Sequence, residues 1–390
     1  MKLTTLLAVL FISSKLFSQE YGMVRVDSNL WVDQTEITNS EYRQFVSWVR
    51  DSIVRKMLFD SGLKKYGKSN TRDNHFSPNW DQIVDYSDTL TIKALESKGF
   101  WHSGNEQFGQ EKEINVSRFN YRYSISKEVV KTTMVYPDTS RMVGPIFLDT
   151  EDTVGLYPSG QIDRVYFNHP AYDNYPVVCI NYGQAIAFCH WRTKLHNNFA
   201  REKELNKTVK YTLPSIDNMY YISLESSQLH QEAGDQFDNN GNKYAFWGGL
   251  QHPDVLLVMN RFYESEAQYR KKLKTYFKKL GRLNSFENNK HRSISYPHYI
   301  VSRDPLGSNN FTNPAPAQSG FGVPSIFEES NHNLVYGLSG NVAEMLIDKE
   351  VIGGSYLHFL EKCKVGELME WDADERAPWL GFRCVMYYVE

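Results

Sequence analysis

The stretch His169-Pro170-Ala171-Tyr172-Asp173-Asn174-Tyr175-Pro176-Val177-Val178-Cys179-Ile180-Asn181-Tyr182, continuing through Gly183 to Trp191, decides how the chain is read. Its apolar run, Val177 to Ile180, is too short for a helix and predicts a buried strand. Beyond it, Ala185, Ile186, Phe188, Cys189 and Trp191 recur at helical spacing, so the strand leads into an amphipathic helix. The same economy of regular structure extends outward. Leu30 to Ile37 predicts a short strand, after which Thr38 or Asn39 caps a helix carrying Tyr42, Phe45, Val46 and Val49 through Arg55. Tyr211-Thr212-Leu213-Pro214-Ser215 opens a turn and another helix. Gly340 to Glu344 and Gly353 to Tyr356 are tight turns, and Trp379 to Val385 is a last strand. Aromatic residues reach 14%, enough to fill a core where regular elements are sparse.

Two polar and aromatic stretches, at about 60–165 and 225–325, show no sustained period and are expected to be insertions. The first holds strand-like pieces such as Val129 to Tyr136. In the second, Arg270 to Leu280 is basic, with Leu273, Tyr276, Phe277 and Leu280 three and four apart. That pattern suits a helix whose basic side is solvated or meets an anionic partner.

Composition removes several function classes. With 41% hydrophobic and 23% charged residues over 390 positions, the chain is neither disordered nor fibrous. Lys plus Arg is 43 against 46 for Asp plus Glu, a net charge of -3, so no global positive field draws nucleic acid or an anionic membrane. Met1-Lys2, the apolar run Leu3 to Ser14 and Ser18-Gln19 predict a signal peptide over 1–18, followed by one domain over 19–390. A buried first helix or a retained anchor is the rival reading. No later run of 18 apolar residues exists, so no transmembrane segment is expected in the mature chain. No Cys follows the apolar run, so the sequence offers no lipid anchor. Export would place Cys179, Cys189, Cys363 and Cys384 in an oxidising compartment, periplasmic or at an outer membrane, where disulfides form.

Five blocks stand in one order: Glu36-Ile37-Thr38-Asn39 with Tyr42 and Phe45; His169-Pro170 with Pro176-Val177-Val178 and Ala185 to Trp191; Leu213-Pro214-Ser215; Gly340-Asn341-Val342-Ala343-Glu344; and Gly353-Gly354-Ser355 with Gly381-Phe382-Arg383-Cys384. Together they resemble the formylglycine-generating enzyme (sulfatase-modifying factor) family. Tyr42 to Arg55, Tyr136-Pro137-Asp138-Thr139 and His169 to Thr193 are further similar to its gliding-motility and type IX secretion lipoproteins of the GldK/GldJ type. The resemblance implies an α+β, irregular C-type-lectin-like fold with long insertions and little regular secondary structure.

It also implies a chemistry to test. Enzymes of the family oxidise a substrate cysteine with copper(I) held by two thiolates, soft ligands for a soft ion. The pair follows the Gly-Gly-Ser turn with four residues between, which here falls on His358 and Cys363 after Ser355. One thiolate is missing, which argues against copper. A mixed His358/Cys363 metal site and a surface His beside an idle Cys both remain open. The His-x-x-x-His-x-Glu run of the family's iron-dependent cousins is absent from all 11 His. Cys189 and Cys384 match positions that the family joins in a disulfide, and Cys179 is expected to be an inert core thiol. The Gly340 turn resembles a calcium loop, with Asn341, the Val342 carbonyl and Glu344 as ligands; a metal-free turn closed by hydrogen bonds is the alternative.

The expectation is a secreted, non-catalytic interaction or scaffold component of the cell envelope, akin to the gliding and type IX secretion proteins and partnered by envelope or secretion-system proteins. A copper-dependent oxidase acting on sulfatase cysteine is the alternative. Lectin-style binding rests on fold analogy alone.

Overall fold

β1 (Met23–Asp27) and β2 (Leu30–Asp33), the latter buried along its whole length, pair as an antiparallel hairpin with Val24 opposite Val32, and α1 (Asn39–Asp60) follows. The computed structural model describes residues 22–69, 76–102, 114–125, 128–142, 166–204, 208–219, 221–222, 317, 322–324, 334–338, 340–358 and 368–389. After α1 come β3 (Gly67–Ser69), β4 (Phe76–Pro78), α2 (Thr89–Ser97), β5 (Asn120–Ser124) and β6 (Val130–Met134). The chain continues with α3 (Tyr182–Glu202), β7 (Thr208–Thr212), β8 (Gly322–Pro324), β9 (Leu334–Tyr336), β10 (Ala343–Met345), β11 (Val351–Ile352), β12 (Leu380–Gly381) and β13 (Val385–Val389). The mixture is α+β with short strands and much irregular chain.

Two compact units divide it: residues 1–40 with 137–390, and residues 41–136. In the first, an antiparallel sheet has the order β1-β2-β13-β7, with Val385 opposite both Val32 and Thr212. The last strand therefore lies between the chain's early and middle segments. A smaller sheet has the order β11-β10-β12, with β10 antiparallel to β11 and parallel to β12. Val24, Val32, Leu338, Leu346, Ile352 and Val385 form an apolar core with Met219 and Ile222. At roughly 25 cal/mol per Å² of apolar surface removed from water, this burial is the main stabilising term.

α3 starts where it does because of a reciprocal cap. The Asn181 side chain accepts from the Gln184 N–H at 3.0 Å, and Gln184 Oε1 accepts from the Asn181 N–H at 3.0 Å. Its inward Phe188 meets Phe382 edge to face at 5.4 Å. Along the open edge of β7, Asn197 accepts from the Val209 N–H at 2.9 Å and donates to its carbonyl at 2.8 Å. Thr193 accepts from the Tyr211 N–H at 2.9 Å. Side chains from α3 thus take the place of a further strand.

The expected strand over Val177 to Ile180 does not form. Val177 donates to the Ile37 carbonyl at 2.8 Å and Cys179 to that of Ala377 at 3.0 Å, while the Cys179 carbonyl accepts from Asp138 at 2.8 Å. Each bond goes to a different segment, so no ladder builds. Cys179 also sits at φ 60°, in the left-handed region that few side chains adopt. The run is buried as read, but as an irregular core segment. The strand expected over Leu30 to Ile37 stops at Asp33, and the helix expected to Arg55 extends to Asp60.

The second unit contains most of the first insertion together with α1 from Glu41 onward. Arg55 organises it, donating to the carbonyls of Asp51 (3.1 Å), Asn79 (3.1 Å) and Gln82 (3.0 Å) and lying 4.7 Å over the Trp80 ring. Trp48 stacks on Trp80 at 5.6 Å. The Asp88 side chain caps α2 by accepting from Thr91. β5 and β6 pair as a hairpin that buries Tyr121 and Tyr123. The signal segment 1–18, residues 143–165, the basic run Arg270 to Leu280 and nearly all of 225–325 lie outside the described residues.

Candidate functional site

Two turns carry the residues singled out by the sequence. Gly340 (φ 80°) and Asn341 (φ 59°) are consecutive left-handed residues, which reverses the chain abruptly. Gly340 donates to the Gly353 carbonyl at 2.7 Å, and the Asn341 carbonyl accepts from Tyr356 at 2.9 Å. These bonds bind the Gly340–Glu344 turn to the Gly353-Gly354-Ser355 turn. The sequence predicted both turns, but not that they clasp each other.

Ser355 is fully buried, and its Oγ accepts from the Leu357 N–H at 3.1 Å. The same oxygen lies 2.7 Å from Nδ1 of His358, whose own N–H donates to the Ser355 carbonyl at 2.9 Å. The contact is a hydrogen bond in either tautomer of the ring, the hydroxyl donating to a bare Nδ1 or accepting from a protonated one. Trp379 meets this imidazole edge to face at 5.1 Å. The position where a first thiolate was sought is therefore an imidazole held by a serine. Cys363, the second position, lies outside the described residues.

Behind these turns runs a buried ionic network. Arg383 has no exposed surface, and its Nε donates to Glu344 Oε2 at 2.6 Å while Nη2 donates to Glu344 Oε1. The guanidinium also donates to the carbonyls of Tyr336 (2.7 Å) and Asp33 (3.2 Å). Burial alone would lower its pKa, but Glu344, with Glu36 and Asp33, outweighs that and raises it, so the group stays charged. Glu36 is buried as well, with Oε1 accepting from the Asn341 amide at 3.0 Å. Burial pushes its carboxyl up to about 8, Arg383 pulls against that, and Glu344 adds to it.

Gly337 explains how Glu36 fits. A Cβ there would lie 2.5–2.8 Å from all three carboxyl atoms of Glu36, and φ is +70°. Only glycine brings backbone that close in that conformation. At the far end, Asp33 accepts from Arg192 at 2.8 Å through each oxygen, and its Oδ2 also accepts from the Cys384 N–H at 2.8 Å.

The Cys189 and Cys384 sulfurs lie 3.5 Å apart, both buried. Cys179 is likewise buried, and burial raises its thiol pKa. Among the described residues, no group of three or more His, Cys, Asp or Glu is arranged to hold a metal ion. Glu36 and Arg383 stood in the recognised blocks, Asp33 in the expected strand from Leu30 and Arg192 in the stretch from His169 to Thr193, all without a role. Their partners are remote in sequence, 39 residues for Arg383 and Glu344 and 159 for Arg192 and Asp33, and no periodicity reports such pairs.

No helix among the described residues is long and apolar enough to cross a membrane. A solved structure, Treponema denticola variable protein 1, is 15% identical, with 56% of this chain and 73% of that chain covered at a TM-score of 0.30. No curated protein matches in sequence. The model of the sulfatase-modifying factor enzyme 1-like domain matches residues 19–388, spanning all five blocks and both turns. The chain belongs to the sulfatase-modifying factor enzyme 1-like family, whose C-type-lectin-like fold it carries.

Proposed function

We propose that the chain is a non-catalytic member of its family, exported and acting as an interaction or scaffold component of the cell envelope, akin to the gliding-motility and type IX secretion proteins. The observation that carries this reading is the pairing of His358 Nδ1 with the buried Ser355 hydroxyl at 2.7 Å. Copper(I) oxidation of a cysteine substrate in this family needs two thiolates after the Gly-Gly-Ser turn, and one of the two positions offers an imidazole instead. The signal-like pattern of Met1 to Ser18 supports export. Seven of the nine large hydrophobic side chains exposed among the described residues belong to the 41–136 unit, Ile83 and Leu90 most of all, which favours that unit for partner binding.

The experiment incubates the full mature chain, supplied with copper and oxygen, with a peptide containing Cys-Thr-Pro-Ser-Arg. Unchanged peptide thiol mass is expected; loss of the thiol with gain of an aldehyde overturns the reading in favour of the oxidase. Affinity capture from cell envelopes then distinguishes partners: secretion-system proteins support the scaffold, and a sulfatase client supports the oxidase.

A further inference from the structure

We infer that the Gly340–Glu344 turn is a calcium-independent element in this chain, with the Arg383 guanidinium supplying the cation that closes it. The family's calcium loop needs six to eight hard oxygens arranged around one ion. Three candidates were on offer from the sequence: the Asn341 side chain, the Val342 carbonyl and the Glu344 carboxylate. Each oxygen of Glu344 already accepts from Arg383, through Nε and Nη2. A bidentate guanidinium uses a carboxylate's charge and its geometry together.

Nearby oxygens are committed too. The Asn341 carbonyl accepts from Tyr356, and its amide nitrogen donates to Glu36 Oε1, which turns the side chain toward that acid. Glu36 Oε2 has no hydrogen-bond partner, which at first suits a cation. However, the Gly337 backbone lies against the Glu36 carboxyl so closely that one added carbon there would overlap both oxygens. The Gly337 backbone thus takes up one side of the carboxyl, where part of an ion's oxygen shell would have to stand.

For calcium to take Glu344, Arg383 would have to lose its charged partner while remaining fully buried with only carbonyls to bond. Leaving a buried charge unpaired is strongly destabilising. The carboxylate is therefore better satisfied by the arginine that the fold already places there.

The test uses the full chain freed of metal by chelator, titrated with calcium to millimolar concentration by calorimetry, with hydrogen exchange of the Gly340 and Tyr356 amides followed in parallel. Absence of saturable binding, with equal exchange in calcium and in chelator, supports the inference. Saturable binding that Asn341→Ala leaves unchanged also supports it, because the ion then sits elsewhere. Binding weakened tenfold or more by Asn341→Ala overturns it. Should that variant not fold, selective slowing of the two amides by calcium in the unaltered protein overturns it instead.

Discussion

The hydroxyl of Ser355 lies 2.7 Å from Nδ1 of His358, three residues on, within a turn also closed by the His358 N–H and the Ser355 carbonyl. The pair fixes which nitrogen of the imidazole faces inward. Ser355→Ala removes two side-chain bonds, the one to His358 and the one from the Leu357 N–H, and leaves the backbone turn. A neutral hydrogen bond contributes about 1 kcal/mol net, so the variant should lose about 2 kcal/mol in urea unfolding. Nitrogen NMR of His358 should show a shifted tautomer balance in the variant. An unchanged tautomer would mean that Ser355 does not orient the ring.

Asp33 and Arg192 form a largely buried pair, with side-chain exposures of 5% and 12%. Arg192→Met leaves the carboxylate with only the Cys384 N–H among these partners. Removing one member of a buried pair costs about 3–5 kcal/mol. Adding Asp33→Asn should recover part of that loss, because the stranded charge disappears with it. Urea melts of the two singles and the double measure the coupling, and strict additivity would contradict it.

Glu36 gives the fold a pH dependence whose sign follows from its raised pKa. The carboxyl titrates near 4.5 unfolded and at about 8 when buried. Its protonated form is therefore favoured by folding. The associated stability is fully present below about pH 4.5 and is lost as pH rises through about 8, with a limiting slope of about 1.4 kcal/mol per unit. Glu36→Gln keeps an oxygen for Asn341 and cannot ionise, so its stability relative to the unaltered protein should increase from pH 5 to pH 8. Parallel melting curves across that range would contradict the assignment.

Cys189 and Cys384 lie side by side in the core, 195 positions apart in sequence. We propose that they are joined in a disulfide. Crosslinking over such a loop stabilises by about 5 kcal/mol in the chain-entropy model, less any strain. Denatured, unreduced protein should therefore show two fewer reactive thiols than reduced protein, and reductant should lower the melting temperature. In the native state Cys179 should resist alkylation, since burial both shields it and disfavours its thiolate. Four reactive thiols in unreduced, denatured protein would sink the crosslink.

What could be read in the chain was local. The turn glycines and the helical spacing around Phe188 depend on neighbours within a few residues, and both appear where expected, whereas the capping box at Asn181 and Gln184, equally local, was not singled out. The irregular path of Val177 to Ile180 was not legible, because its partners are Ile37, Asp138 and Ala377 and a short apolar run is the same for strand and loop. For the candidate site, the blocks located both turns but not the Arg383–Glu344 bond or the closeness of Gly337 to Glu36. Those relations arise when segments distant in sequence fold onto one another.

The most direct measurement of the account is copper(I) binding to the reduced, full-length protein, read by competition with a thiolate-sensitive chelator, alongside His358→Cys. Weak, exchangeable copper is expected on the natural chain, with at least tenfold tighter binding once a thiol stands at position 358. Tightly held, stoichiometric copper on the unaltered protein, together with oxidation of a cysteine peptide, would contradict it.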